Sequence, residues 1–214
     1  MLSKKWIAAA LLVAGSSSVA HAGYITTFTS GMTTQVADAT TYDFDSGAKP
    51  AGYSGAGWIL PSSVPGMSAA PAGDNTPFLS VAFPLSSGTE TYSAAPGSLY
   101  NYFGLYWGSI DDYNSLRFFN GDTLLATVTG GDVIATGTTL GDQVSAGSNR
   151  YVNFTFLDSM FDRVEFSTTN FAFESDNHAF GNVAVPEPAS LALMGAGLLG
   201  LALVRRRRGA IARA

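Results

Sequence analysis

Pairs of carboxylates are the side chains through which this sequence could most readily do chemistry, and three pairs lie close together in the chain: Asp111 with Asp112, Asp162 with Glu165, and Glu174 with Asp176. A glycosidase needs two carboxyl groups about 5 to 10 Å apart, with distinct roles for the two acids. Glu174 and Asp176 would share one face of a strand. Asp111 and Asp112 would point to opposite faces unless they lie in a loop. The alternative interpretation is that these acids form turns and solvated strand ends.

Other catalytic chemistries lack the side chains they need. The chain has no cysteine, which excludes a thiol nucleophile and a thiolate metal site. Beyond residue 22 the single histidine is His178, so a His-rich zinc site is excluded. Residues 52–55 miss the G-x-S-x-G spacing of a serine hydrolase. A lone histidine near the end of a domain is typical of a surface or strand-end position, and we predict that the protein is not an enzyme.

Oxygen ligands for Ca²⁺ lie in two acidic clusters. Ca²⁺ collects 6 to 8 oxygens from carboxylates, amides and carbonyls, and no EF-hand spacing is present here. The first and last strands of a jelly roll often lie together, so the two clusters could converge. The candidate ligands of a structural Ca²⁺ are Asp43, Asp45, Glu174, Asp176 and Asn177.

Aromatic side chains offer a second kind of ligand site. Exposed Trp and Tyr rings of β-sandwiches stack on sugars, with a few polar groups nearby. The candidate glycan contacts are Trp58, Tyr102, Tyr106 and Trp107. Burial in the core is the alternative for most of these rings.

Charge is divided unevenly along the chain. Residues 23–185 contain four Lys and Arg but 15 Asp and Glu, which gives this segment a net charge of −11. Such a surface repels nucleic acid and anionic lipid, because both bind through Lys and Arg. Divalent cations are the more plausible charged partners.

The central segment has the alternation of a β protein. Short stretches rich in Val, Thr, Phe and Tyr are separated by Gly, Asn, Asp, Ser and Pro, with no convincing amphipathic helix. Asn120 and Gly121 predict a hairpin turn, and the large residues of 99–107 predict a central strand covered on both faces. Proline-rich residues 46–77 predict long surface connections around irregular strands. We therefore predict an all-β, jelly-roll-like antiparallel β-sandwich, with a barrel as the alternative.

The N-terminus has the three parts of a secretory signal peptide. Lys4 and Lys5 precede an apolar stretch at residues 6–14, and Ala20 and Ala22 form an A-x-A site with His21 between them. We predict a signal peptide at residues 1–22, cleaved after Ala22.

The C-terminus combines an extended joint, an apolar run and a basic block. The tripeptide Pro186-Glu187-Pro188 cannot extend the following helix toward the N-terminus. We expect it to form an extended, exposed segment. Residues 189–204 are 16 apolar or small residues, which predicts a single short transmembrane helix. The basic tail, residues 205–214, stays in the cytosol because of its membrane-stop arginines Arg205, Arg206, Arg207 and Arg208.

This C-terminal pattern resembles the PEP-CTERM sorting signal of bacterial surface proteins. The resemblance covers residues 185–214 and lies in the order of Val185, the Pro-Glu-Pro tripeptide, the apolar helix and the arginine cluster. It implies recognition by exosortase, a membrane cysteine protease that removes the tail and releases or transfers the protein beyond the inner membrane. Typical hosts are Gram-negative bacteria with exopolysaccharide. Residues 102–122 and 171–177 also resemble segments of the β-sandwich ectodomains of such proteins.

Together these patterns predict an exported, exosortase-processed surface or extracellular-matrix protein with a transient inner-membrane anchor. Residues 23–185 are expected to form its ectodomain, with a structural or adhesive role in an exopolysaccharide or biofilm context. A carbohydrate-binding module, with or without Ca²⁺, is the alternative, and a carboxylate-pair glycosidase is a third candidate. The implied partners are exosortase, the inner membrane before processing and extracellular polysaccharide, with no nucleic acid.

Overall fold

The fold consists of short strands joined by long connections. A computed structural model describes residues 19–21 and 23–185. The chain divides into two compact units, Met1–Val183 and Ala184–Ala214. One short helix, α1, spans Gly130–Val133. The strands in chain order are β1 (Val19–His21), β2 (Tyr24–Thr29), β3 (Thr40–Tyr42), β4 (Tyr53–Gly55), β5 (Gly57–Leu60), β6 (Phe78–Val81), β7 (Gly88–Ser93), β8 (Tyr102–Gly108), β9 (Asn114–Asn120), β10 (Thr123–Thr129), β11 (Arg150–Phe156), β12 (Arg163–Thr168) and β13 (Phe173–Gly181).

The strands form two antiparallel sheets. The first sheet has the order β1-β2-β11-β8-β13-β6-β5, with β3 paired to β13, and the second has the order β10-β9-β12-β7-β4. Asn120 pairs with Thr123 across a turn in which Gly121 has a φ of +54°, so the hairpin predicted at this point is confirmed. The all-β prediction is confirmed by the two antiparallel sheets, whereas the jelly-roll connectivity stays a prediction.

The inner faces of both sheets pack together in one aromatic core. The ring of Phe103 in the first sheet lies 5.8 Å from that of Phe118 in the second, and Phe173 and Phe166 make a second such contact at 5.9 Å. All four side chains are fully buried, and burial of each contributes about 1.5–3 kcal/mol. The shared core is consistent with a sandwich.

Strand β8 is buried along its whole length, as predicted for a central strand. It lies between β11 and β13, and Phe103, Leu105 and Trp107 point into the core. At the end with Tyr106 and Gly108, the opposite face is covered by residues 61–77, and a Cβ atom on Gly108 would lie 2.8 Å from Pro71. This segment was expected to be a surface connection, but Pro71 is buried because the segment lies across the first sheet.

A β-bulge in β13 decides which side chains reach each face. Asp176 is opposite Tyr106 and Ala179 is opposite Gly104, so two residues of β13 face one residue of β8. Asn177 takes the left-handed conformation there, with a φ of +52°, which asparagine tolerates. Because of the bulge, Asp176 points to the outer face of the sheet while His178 points into the core.

The predicted sorting elements lie mostly outside the described residues. This applies to residues 1–18 of the predicted signal peptide, to Ala22, to the Pro-Glu-Pro tripeptide, to the predicted transmembrane span and to the basic tail. Ala20 lies in β1, whose backbone pairs with β2, and cleavage after Ala22 would remove that strand. Over the part of the chain with described coordinates, no helix has the length and apolar character needed to cross a membrane.

Candidate functional site

A polar cleft opens at the end of the domain where several connections meet. Its cavity volume is about 550 Å³, and its walls come from residues 63–69, the β8–β9 connection, the loop around Gly141 and the entry to β13. The lining residues with polar side chains are Ser63, Ser68, Ser109, Asp111, Tyr113, Gln143 and Glu174. Cavities of this volume are typical of small-molecule sites.

Asp111 and Tyr113 form one wall of the cleft. The hydroxyl of Tyr113 donates to Oδ2 of Asp111 and also lies 2.6 Å from the carbonyl oxygen of Phe171. Burial raises the pKa of Asp111, and the hydrogen bond from Tyr113 opposes that increase. A side chain on Gly141, whose φ is +68°, would lie 2.9 Å from Oδ1 of Asp111. Glycine at this position therefore leaves the carboxylate accessible to a ligand.

Glu174 lies deeper, at the floor of the cleft. Its side chain is 3% exposed, and its two oxygens accept hydrogen bonds from the Ala69 N–H at 2.9 Å and from the Ser109 hydroxyl at 3.1 Å. Burial raises the pKa of Glu174 to about 7 despite these bonds, which favour the charged form. Glu174 thus anchors residues 61–77 to the sheet.

Asn149 joins three of the connections around the cleft. Its Oδ1 accepts hydrogen bonds from the N–H groups of Ser109 and Ala72, at 2.9 and 3.0 Å. Its Nδ2 donates to the carbonyl oxygens of Asp142 and Ser145, at 2.8 and 3.1 Å. Because the side chain is buried, these four bonds satisfy its polar atoms instead of bonds to water. They also hold the three connections together around the cleft.

The acid pairs predicted from sequence proximity have different surroundings. Asp112 is exposed and does not line the cleft. Asp162 accepts a hydrogen bond from the Gly121 N–H, and Glu165 forms ion pairs with two arginines on the second sheet. Glu174 and Asp176 do share a face, since they pair with Gly108 and Tyr106. In the structure, Glu174 and Asp111 line the same cleft. This pair could not be recognised from the sequence, because the two residues are far apart in the chain.

The five candidate Ca²⁺ ligands do not form one cage. Asp43 and Asp45 are exposed, Glu174 lies in the cleft, and Asn177 donates from Nδ2 to Asp176 Oδ2 at 3.0 Å. Burial raises the pKa of Asp176 to about 9, and Asp74, absent from the predicted set, adds to the increase. In residues 23–185, no three acidic or histidine side chains form a metal cluster by themselves.

The four candidate glycan contacts are also separated by the fold. Trp107 is fully buried and stacks on Phe173 with ring centres 4.5 Å apart, so it belongs to the core. Tyr102 and Tyr106 lie on the outer face of the first sheet but are buried, and their hydroxyls bond to Asn153 and to the Ala72 carbonyl. Trp58, on edge strand β5, is 56% exposed. It is the one member of this set that remains available for stacking.

His178 is a core residue rather than the surface or strand-end residue expected from its position. It is fully buried, and its ring nitrogens lie 2.8 Å from the Tyr53 hydroxyl and 2.9 Å from the Ser175 hydroxyl. Burial lowers the pKa of His178 to about 3. The imidazole is therefore neutral and does not line the cleft.

The class of protein follows from the segment after the last strand. The family model described as the PEP-CTERM protein-sorting motif matches residues 184–208, as the C-terminal pattern predicted. The chain thus carries a PEP-CTERM sorting motif, which supports an exported protein that passes through a membrane-anchored intermediate and is sorted by exosortase. No curated protein and no solved structure matches the chain.

Proposed function

We propose that the exported domain is a jelly-roll-like β-sandwich that binds extracellular polysaccharide and acts structurally or adhesively at the cell surface or in a biofilm matrix. The polar cleft supports this proposal most directly. It carries Asp111, Tyr113 and Gln143 on the walls of one cavity, at the end of a domain that exosortase sorts.

The chemistry of the cleft suits a sugar. Carboxylate, phenol and amide groups exchange hydrogen bonds with hydroxyls, and the exposed side chain of Gln143 can both donate and accept. Val64, Pro65, Met67 and Phe171 supply apolar lining for the C–H faces of a pyranose ring. With a net charge of −11 over residues 23–185, neutral or cationic polysaccharide is favoured over an anionic one.

A carboxylate-pair glycosidase is the second candidate, because Asp111 and Glu174 line the same cleft. A general acid must reach the proton acceptor on its substrate within hydrogen-bonding distance. Glu174 is almost completely buried, and both its oxygens already accept bonds from Ala69 and Ser109. These contacts favour a structural role for Glu174 and a binding role for the cleft.

A glycan array probed with the purified protein and four variants tests the proposal. Asp111→Asn and Tyr113→Phe alter the cleft, Trp58→Ala removes the exposed ring, and Asp112→Asn is the matched control on an exposed neighbour. We expect the first two variants to lose array signal and Asp112→Asn to keep it. Signal lost with Trp58→Ala but kept with both cleft variants would place binding at β5 and contradict the proposal.

Release of reducing sugar separates binding from hydrolysis. We expect array-positive oligosaccharides to remain intact on prolonged incubation with the protein. Cleavage that disappears in Glu174→Gln would establish the glycosidase instead.

A further inference from the structure

Residues 61–77 are held to the outer face of the first sheet by polar contacts spread along the segment. Ser68 and Ser80 join their hydroxyls at 2.8 Å, and the Tyr106 hydroxyl donates to the Ala72 carbonyl at 2.7 Å. Tyr106 pairs across the sheet with Asp176 of β13, and its hydroxyl bonds to Ala72 at the end of the segment. Asp74 therefore lies near Asp176, where its charge adds to the increase in the pKa of Asp176 that burial causes. This proximity brings together two groups of the same charge.

Both carboxyl groups are buried and oriented by their neighbours. Asp74 is 8% exposed and Asp176 is 1% exposed. Oδ1 of Asp74 accepts bonds from the Thr76 N–H and hydroxyl, at 2.9 and 2.7 Å, and Oδ2 of Asp176 accepts the bond from Asn177. One oxygen of each group, Asp74 Oδ2 and Asp176 Oδ1, is buried without a hydrogen-bond partner. Each carboxyl group thus keeps one buried oxygen that has no hydrogen-bond partner.

No basic side chain in the described part of the chain compensates this charge. The ion pairs of residues 23–185 join Lys49 to Glu90 and join Arg117 and Arg163 to Glu165. Asp45, exposed beside the pair, adds a third negative charge that acts on Asp176. Buried charges need a partner of opposite sign or a metal ion.

We propose that Asp74 and Asp176 bind a divalent cation, Ca²⁺, between their unpartnered oxygens. Carboxylate oxygen is the ligand that Ca²⁺ prefers, and the bonds from Thr76 and Asn177 fix the two carboxylates as outer-shell donors do in metal sites. Asp45 supplies further negative charge, and water completes the coordination. The cation fastens residues 61–77 to β13, and residues 63–69 of the same segment line the cleft.

Thermal unfolding of the purified full-length protein, stripped with EDTA and titrated with Ca²⁺, tests this site. We expect a saturable increase in Tm that EDTA reverses. Asp74→Asn/Asp176→Asn should lose the increase, whereas the control Asp38→Asn/Asp122→Asn, which removes two exposed charges, should keep it. Tb³⁺ luminescence, sensitised by Tyr106 beside Asp74, measures binding directly. We expect Ca²⁺ to compete with Tb³⁺ and reduce this luminescence in the wild type. Asp74→Asn/Asp176→Asn should show no such luminescence.

Two results would overturn the proposal. The first is that Ca²⁺ changes neither the Tm nor the Tb³⁺ luminescence of the wild type, as expected for two carboxyl groups that share a proton. Alternatively, the double variant could respond to Ca²⁺ as strongly as the wild type. If that double variant does not fold, Asp74→Asn alone must lose the response, because Asp74 lies in a connection outside the strands. No glycan enters these measurements, so they can fail independently of the proposed polysaccharide binding.

Discussion

The hydroxyl oxygen of Tyr113 lies 2.6 Å from Oδ2 of Asp111 in the wall of the cleft. Tyr113→Phe removes this donor, and we expect a loss of about 1–2 kcal/mol in the free energy of unfolding. The pKa of Asp111 should rise, because the hydrogen bond from Tyr113 lowers it in the wild type. Chemical denaturation and NMR titration of the Asp111 carboxyl measure the two effects.

A double-mutant cycle with Asp111→Asn identifies the contact responsible. In the Asp111→Asn background, Tyr113→Phe should lower the free energy of unfolding by less than it does in the wild type, because the hydrogen bond between the two side chains is already altered. Equal costs in both backgrounds would mean that Tyr113 acts through the Phe171 carbonyl instead.

Gly108 permits the close approach of residues 61–77 to β8. In Gly108→Ala the new Cβ would lie 2.8 Å from atoms of Pro71, and we expect a destabilisation of about 1–3 kcal/mol. Gly131→Ala is the matched control, because the nearest atom outside its neighbours would be 3.6 Å away. A Gly108→Ala protein that unfolds at the same denaturant concentration as the control would show that the segment is not packed on β8.

Asn149 should contribute more to stability than any exposed asparagine. Asn149→Ala leaves the N–H groups of Ala72 and Ser109 and the Asp142 carbonyl without the side-chain partner, and we expect a cost of about 2–4 kcal/mol in the free energy of unfolding. Asn75→Ala, at an exposed site, should change stability by less than about 0.5 kcal/mol. Urea denaturation of the two variants checks this difference, and similar midpoints would contradict it.

The sorting motif predicts a defect in maturation that leaves folding unchanged. Changing Pro186, Glu187 and Pro188 to alanine should leave the unprocessed precursor in the membrane fraction, because the exosortase recognition segment is lost. Ser86→Ala/Ser87→Ala, in an exposed connection, serves as the control. Gel mobility of the protein in membrane and released fractions is the measurement, and normal maturation of the tripeptide variant would argue against exosortase processing.

The strands could be predicted from sequence because their signals are local. The large residues on both faces of β8 and the Asn120-Gly121 turn between β9 and β10 each form a pattern among residues a few positions apart. The position of His178 could not be predicted this way. The bulge at Asn177 shifts the alternation by one residue, and this shift carries the histidine into the core.

The cleft could not be predicted because its residues come from distant parts of the chain. Asp111 and Glu174 meet through the pairing of β8 with β13 and the return of residues 61–77 across that sheet. Asp74 lies among prolines and glycines, where its type and spacing indicate a turn. Its burial against Asp176 depends on the path of the whole segment.

The structure of the protein bound to an array-selected oligosaccharide tests polysaccharide binding by the cleft most directly. We predict density for the sugar in the cleft, with its hydroxyls bonded to Asp111 and Gln143 and a ring face on Met67 or Phe171. Sugar bound at Trp58 with an empty cleft, or on the outer face of the second sheet, would contradict the account.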